Sequence, residues 1–328
     1  MNMQLPNKRR PKPTISGQHK INNWKEYNQA LKQRGSLEIW IEDGIESKWY
    51  YQGKTQQGAQ FTYSKACIEL AAVLRVLYHL PYRQLEGFLI SLVKRSGWSL
   101  NVPDYTVIHR RTKTLNVKIN EHTVSGRGKK YIVIDSTGLK VYGEGEWKVR
   151  QHGYGKRRSW MKMHLAIDES TAIIESCETT TNTVDDAEMV QYLLENIKEP
   201  IGKIAGDGAY DVAKVYEIAY RRKIKAIIPP RKNAKIHKHG NRKDKPLIRD
   251  ENIRGVRKLG RKKWKEKNNY HRRSMAETAM FRFKVNFGDR LMARTEKQQE
   301  IEVQLKCKIL NKMTRLGMPK RSTTKKAA

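Results

Sequence analysis

Four residues near the end of the chain could do chemistry from one helix face. Tyr270, Arg273, Glu277 and Lys284 follow one another at intervals of three, four and seven residues. At about 100° per residue, this spacing predicts that all four lie within an arc of roughly 60° on one helix. A carboxylate can bind a divalent cation while flanking bases bind phosphate oxygens. The pattern therefore indicates phosphate chemistry and favours nucleic acid as the substrate.

The charge of the whole chain favours the same partner. The 328 residues include 67 Lys plus Arg against 33 Asp plus Glu, a formal net charge of +34. So large an excess repels itself unless a polyanion is near, and counterion release from a phosphate backbone supplies affinity for such a protein. A ribosomal-type or merely soluble basic protein is the alternative interpretation.

Breaks in composition and pattern divide the chain into four parts. Glycines near residue 126 mark the change from a helical to an extended pattern. The expected parts are a flexible basic arm (1–22), a helical DNA-binding domain (23–125), an α/β catalytic domain (126–317) and a basic tail (318–328).

The helical part carries a pattern that is typical of a helix-turn-helix. Helices are predicted at about 63–80 and 82–94, followed by a short helix that Asp104 caps and that carries Arg110 and Arg111. A basic third helix of this kind could contact DNA. A plain helical bundle explains the same pattern, and the sequence leaves both interpretations open.

The second half predicts a mixed sheet that brings two aspartates together. The apolar run 131–134 reads as a buried strand ending at Asp135, and a second short strand ends at Asp207. The predicted order is three strands in a meander, a helix, a strand, a helix and a strand. Neighbouring carboxylates repel, so Asp135, Asp207 and Glu277 are expected to share two Mg²⁺ ions. Taken singly, each aspartate is also explained as a turn residue at a strand end.

At these residues the chain resembles bacterial insertion-sequence transposases of the DDE type, in the insertion-sequence-five family. The resemblance is carried by the stretches 133–140, 143–148 and 207–211 and by the Tyr-x2-Arg-x3-Glu-x6-Lys signature at residues 270–284. It implies a mixed-sheet, ribonuclease-H-like catalytic domain and a catalytic triad of Asp135, Asp207 and Glu277. It further implies dependence on Mg²⁺, with Mn²⁺ as a substitute, and contacts from Tyr270, Arg273 and Lys284 to the phosphates of the transposon ends.

Two further basic segments are candidates for DNA contact. Residues 221–273 hold 22 Lys plus Arg and 4 Asp plus Glu, which indicates a basic insertion at about 229–268. Trp264 within it could stack on an extruded base, although buried packing explains most tryptophans. Lys148 and Arg150 belong to a second basic loop that either follows a phosphate backbone or is a surface hairpin.

Together these patterns predict a transposase that binds terminal inverted repeats and performs Mg²⁺-dependent cleavage and strand transfer. The partners would be double-stranded DNA, as transposon ends and target, and a second subunit in a homodimer. The alternatives are a ribonuclease-H-fold nuclease or resolvase that does not join strands, and a basic DNA-binding regulator without activity. No stretch of eighteen apolar residues occurs in the sequence, so no membrane partner is expected and the predicted location is the bacterial cytoplasm, associated with the nucleoid.

Overall fold

The computed structural model describes residues 19–54, 61–120, 128–141, 160–238 and 247–323. Its strands are β1 (His19–Ile21), β2 (Lys130–Lys140), β3 (Trp160–Asp168), β4 (Ile174–Thr181), β5 (Ile201–Ala205), β6 (Lys225–Ile227) and β7 (Arg321–Thr323). Its α-helices are α1 (Trp24–Gln33), α2 (Leu37–Trp40), α3 (Lys65–Leu77), α4 (Tyr82–Arg95), α5 (Tyr105–Thr112), α6 (Val190–Glu195), α7 (Ala213–Arg221), α8 (Ile248–Lys267), α9 (Ser274–Phe287) and α10 (Glu296–Leu316). The predicted basic arm and the loop with Lys148 and Arg150 lie outside these ranges, apart from residues 19–22 of the arm.

Helices α3, α4 and α5 pack around a shared hydrophobic core. Ser64 accepts a hydrogen bond from the Cys67 backbone amide at the start of α3, and Asp104 does the same for Thr106 at the start of α5. Leu74, from α3, is fully buried in the core that α3, α4 and α5 share. This region also contacts the last helix, because Lys308 of α10 pairs with Glu69 of α3.

Strands β2 to β6 form a mixed sheet in the order β4-β3-β2-β5-β6. β3 runs antiparallel to both β2 and β4, whereas β5 and β6 run parallel to β2. The predicted order of strands and helices is confirmed, and the architecture is the ribonuclease-H-like α/β fold. Since β2, β4 and β5 all point the same way, their carboxyl ends meet at one edge of the sheet, called here the carboxyl edge.

The helices cover both faces of this sheet. One face packs against α9 and α10 through buried residues such as Val133, Phe283 and Ile309. The other packs against α6 and α7 through residues such as Ile132 and Val215. β2 is the central strand of the sheet, and alternate side chains along it point into the two cores.

Two predicted element boundaries were wrong. β2 does not end at Asp135 but continues to Lys140, because β3 pairs with it from Ile132 through to Lys140. The α-helix of the signature begins only at Ser274, and Tyr270–Arg273 form a 3-10 turn before it. The four signature residues therefore do not share a single α-helix.

Two buried aspartates hold the basic insertion in place, Asp211 from the loop after β5 and Asp250 from within the insertion itself. Asp211 accepts hydrogen bonds from Tyr216, from the Arg231 amide and from Arg249, whose Nε lies 2.9 Å away. Asp250 accepts from the amides of residues 237 and 238. The Asp211 carboxylate is turned toward the insertion and does not cap α7, the helix that follows it. At least these parts of the insertion are folded onto the domain.

Among the described residues, no helix is both long enough and apolar enough to cross a membrane.

Replacing Asp211 with Ala should lower the free energy of unfolding by about 3–5 kcal/mol, because it leaves the Arg249 guanidinium without its buried partner. Urea denaturation monitored by circular dichroism would measure the loss. Glu217→Ala is the matched control, because the Glu217–Arg221 pair is exposed to solvent and should contribute less than about 1 kcal/mol. Equal losses in the two variants would contradict the anchoring role of Asp211.

Candidate active site

Asp135 lies half-way along the central strand. Its Oδ1 accepts a hydrogen bond from the Ser136 amide at 3.0 Å, and its Oδ2 lies 3.0 Å from Nη1 of Arg273. Burial raises the pKa of Asp135, the Arg273 guanidinium lowers it, and the charges of Asp207 and Glu277 raise it again, so the net shift is upward. Asp207 and Glu277 are therefore close enough to Asp135 for their charges to affect its pKa.

Asp207 follows β5, the parallel neighbour of β2. Ala205 at the end of β5 pairs with Val133, which brings Asp207 to the same part of the carboxyl edge as Asp135. Asp207 Oδ1 accepts from the Ala209 amide at 2.8 Å and so caps a 3-10 turn. Gly206 permits this approach, because a Cβ there would lie 2.7 Å from the Tyr210 ring. Gly206 is therefore required for close packing against Tyr210 as well as for the turn.

Glu277 reaches the same place from α9. Its side chain is 58% exposed, and its Oε1 lies 2.5 Å from Nη2 of Arg273. The Arg273 guanidinium therefore bridges Asp135 and Glu277, one carboxylate on each side. In this structure two of the carboxylates flank an arginine, and within the described ranges no group of three His, Cys, Asp or Glu side chains is arranged to hold a metal ion.

The donor set nevertheless fits a hard divalent cation. Mg²⁺ prefers carboxylate oxygens, and Asp135, Asp207 and Glu277 supply them from three separate elements. Burial and the charges of Asp207 and Glu277 disfavour the ionised form of Asp135, whereas a neighbouring cation favours it. Arg273 is that cation here, and a metal ion between the same groups would act in the same direction.

Comparison with known protein families identifies the chain. A family model described as "Transposase DDE domain" matches residues 126–312, more than half of the sequence, and a second model with that description matches residues 32–144. The chain belongs to the transposase DDE domain family. This transposase is therefore an enzyme of the DDE class, and Asp135, Asp207 and Glu277 all lie within the longer match.

Solved transposase structures resemble this transposase at low sequence identity. The cryo-EM structure of the piggyBac transposase synaptic complex with hairpin DNA matches with a TM-score of 0.41 and 12% identity, covering 90% of this chain and 76% of that one. The Drosophila P element transposase strand transfer complex matches with a TM-score of 0.29 and 10% identity, covering 78% and 66%. At these TM-scores the family assignment depends on the sequence match alone.

The two remaining signature residues occupy different environments. Lys284 Nζ donates to Thr137 Oγ1 at 2.7 Å, and Thr137 lies on the same strand face as Asp135, two residues on. Tyr270 is buried, and its hydroxyl donates to the Gly206 carbonyl at 3.2 Å. Lys284 is thus positioned beside the carboxylates, whereas Tyr270 supports the backbone that precedes Asp207.

The other residues predicted to bind DNA divide into buried and exposed ones. Trp264 is 3% exposed and packs beside Tyr270, so this structure favours the packing interpretation over base stacking. Arg111 donates to the Tyr63 carbonyl and covers the Phe61 ring, which gives it a structural contact. Arg110 is exposed on α5. Lys148 and Arg150 fall outside the described residues.

A fourth carboxylate at the carboxyl edge was missed by sequence reasoning. Asp186 accepts a hydrogen bond from Ser136 Oγ at 2.8 Å and pairs with Lys162 at 3.1 Å. Burial and the charges of Asp186, Asp135 and Asp207 raise the pKa of Tyr210, so its buried phenol lies among these carboxylates. Asp186 follows β4, and the strand directions place the end of β4 at the same edge of the sheet as the end of β5. The strand directions could therefore have predicted that Asp186 lies near Asp207.

His164 lies buried beside Asp186 and should remain neutral at physiological pH. Its Nε2 is 2.8 Å from Thr180 Oγ1, and burial lowers its pKa from 6.5 to about 4, although Asp186 acts in the opposite direction. Between about pH 6.5 and pH 4, His164 is therefore protonated in the unfolded chain but neutral in the folded chain. The associated stability is fully present above about pH 6.5 and is lost as the pH falls toward 4.

His164→Gln should remove this part of the pH dependence. Between pH 6.5 and 4 the free energy of unfolding of the parent should fall by about 3 kcal/mol more than that of the variant. Urea denaturation at a series of pH values would measure both slopes, so a uniform loss of stability in the variant does not affect the comparison. Parallel slopes would show that His164 is not held neutral.

Proposed function

We propose that this transposase binds the terminal inverted repeats of an insertion sequence, cuts the DNA there and transfers the ends to target DNA in Mg²⁺-dependent reactions. The observation that supports this most is the gathering of Asp135 and Glu277 around Arg273, with Asp207 close enough to raise the pKa of Asp135. We also propose membership of the insertion-sequence-five family, on the strength of the signature at residues 270–284.

Asp135, Asp207 and Glu277 would hold the Mg²⁺ ions, with Mn²⁺ as a possible replacement in the assay. Bound Mg²⁺ would supply Lewis-acid activation of a water or a 3′ hydroxyl and neutralisation of the leaving oxygen. Arg273 occupies the space between two of these carboxylates, so its guanidinium would have to leave them when metal binds. Its fork of donors then suits a phosphate of the bound DNA.

Lys284 would contact the same DNA as Arg273. Its ammonium group lies at Thr137, on the face of β2 that carries Asp135. A cation there would offset the charge that develops on a phosphate under attack. Tyr270 would act indirectly, because its hydroxyl holds the Gly206 carbonyl just before Asp207.

The basic insertion would extend the DNA contact away from the carboxylates. Exposed bases follow one another along α8. They are Arg257, Lys258, Arg261, Lys262, Lys263 and Lys267. Such a row suits a phosphate backbone, and Arg110 on α5 offers a further contact. Pairing two transposon ends would require two copies of the chain, which is why a homodimer is proposed for the DNA complex.

Neutralising any one of the three carboxylates should abolish both cleavage and joining. Asp135→Asn, Asp207→Asn and Glu277→Gln should each slow the reaction on linear DNA with candidate terminal repeats by roughly 100-fold or more, while DNA affinity is retained. Asp185→Asn is the control, because Asp185 is exposed and next to Asp186. Quantified gel assays with Mg²⁺ would measure both products.

The product pattern of the parent protein separates the alternatives. Joined products support the transposase mechanism, and hydrolysis without joining in an otherwise active preparation would favour a nuclease or resolvase. Binding without any cleavage would favour a regulator. Full activity in any of the three carboxylate variants would contradict the proposed site.

Replacing Lys262 and Lys263 together with Ala should weaken DNA binding and reduce its dependence on salt. Each phosphate contact contributes about one unit to the slope of log affinity against log salt concentration, so the double variant should lose roughly two units. Fluorescence anisotropy over a salt series would give the slopes. Lys198→Ala, an exposed lysine just before β5, is the control. An unchanged slope in the double variant would place the DNA elsewhere.

A further inference from the structure

Two large apolar side chains on the outer side of α9 are exposed to solvent. Phe281 is 68% exposed and Val285 is 66% exposed, more than any other large hydrophobic residue in the described ranges. The opposite side of the helix is buried against the sheet through Ala276, Ala279, Met280, Phe283 and Phe287. The buried side of α9 already makes the contacts between this helix and the core, so Phe281 and Val285 do not contribute to core packing.

This pair lies next to the candidate active site. Phe281 follows Glu277 by one helical turn and Val285 follows Phe281 by another, which places them about 40° and 80° further round the helix than Glu277. Lys284 lies on the other side of Glu277, toward Thr137. An apolar surface and a row of charged groups therefore run side by side along α9.

Charge and contact area distinguish two occupants of this surface, a second copy of the chain and a nucleotide. A second copy of the chain would bring another +34 formal charges against it. A stable subunit interface also needs roughly 800 Å² from each partner, far more than two side chains provide. A nucleotide meets both parts of the surface, because its base can lie on an aromatic ring while its phosphate pairs with a cation.

We propose that Phe281 and Val285 form a base-contact surface that receives an unpaired nucleobase of the DNA whose phosphate lies at the carboxylates. The inference rests on the proposed function, since it requires DNA at this site. Trp264, the aromatic residue that the sequence suggested for such a contact, is buried, whereas the Phe281 ring is open to solvent. Stacking on a ring tolerates any base, so this surface would add affinity without adding sequence specificity.

The test uses the full chain and DNA of arbitrary sequence, so the terminal repeats need not be known. The probe is a duplex with a short single-stranded 3′ overhang that carries a fluorescent purine analogue at its junction, and a blunt duplex of the same sequence is the comparison. Stacking on Phe281 should quench the analogue in the overhang. Phe281→Ala should reduce that quenching and weaken overhang binding by roughly tenfold, while binding to the blunt duplex stays unchanged.

Two variants control for the chemistry and for exposure. Phe281→Trp should retain or increase the quenching, because an aromatic ring is kept. Tyr220→Ala removes another exposed ring, 63% exposed on α7, and should change nothing. Because Phe281 lies outside the core, Phe281→Ala should also keep the melting temperature of the parent.

The outcomes separate this inference from the function on which it rests. If Phe281→Ala binds and quenches the overhang probe like the parent, the base-contact surface is wrong while DNA binding stands. If Phe281→Ala instead changes the sedimentation coefficient of the DNA-free chain and leaves overhang binding intact, the surface is a subunit interface and the inference is overturned. If the parent binds neither duplex, the proposed function fails and the inference fails with it.

Discussion

Carboxylates that lie close together repel one another unless a cation lies between them, and in this transposase the Arg273 guanidinium lies between two of them. It bridges Asp135 on the central strand and Glu277 on α9, which joins the sheet to the helix that covers it. Asp207 completes the group from the neighbouring parallel strand. The repulsion between these carboxylates would otherwise oppose folding, so the arginine stabilises the arrangement.

The same constraint explains why the surrounding residues are placed as they are. Ser136 donates its amide to Asp135 and its hydroxyl to Asp186, and Lys162 balances the charge of Asp186. Tyr270 holds the backbone before Asp207, and Asp211 fastens the basic insertion nearby. The carboxyl edge is therefore a network in which each acidic side chain has its own donor or cation. Phe281 and Val285 lie just outside that network, where a substrate would meet them.

Local sequence patterns predicted most elements of the fold because their physical causes are local. α3 and α4 lie where helices were predicted at about 63–80 and 82–94, and Asp104 caps α5 as predicted. The errors arise where tertiary pairing overrides local signals. Ser136 and Gly138 look like a turn, yet β3 pairs across them and keeps β2 continuous. The sequence left both base stacking and buried packing open for Trp264, because its burial depends in part on β6, which is distant in sequence. Asp186 was missed for the same reason, since its partners Ser136 and Lys162 come from two other strands.

We propose that Asp135, Asp207 and Glu277 together bind divalent metal in place of the Arg273 guanidinium. Anomalous diffraction from crystals of the transposase soaked in Mn²⁺ tests this proposal most directly. We expect an anomalous peak within coordination distance of Asp135, Asp207 and Glu277, with Arg273 moved away from both of its carboxylate partners. A peak confined to other parts of the surface, with Arg273 still bridging Asp135 and Glu277 at saturating Mn²⁺, would contradict it.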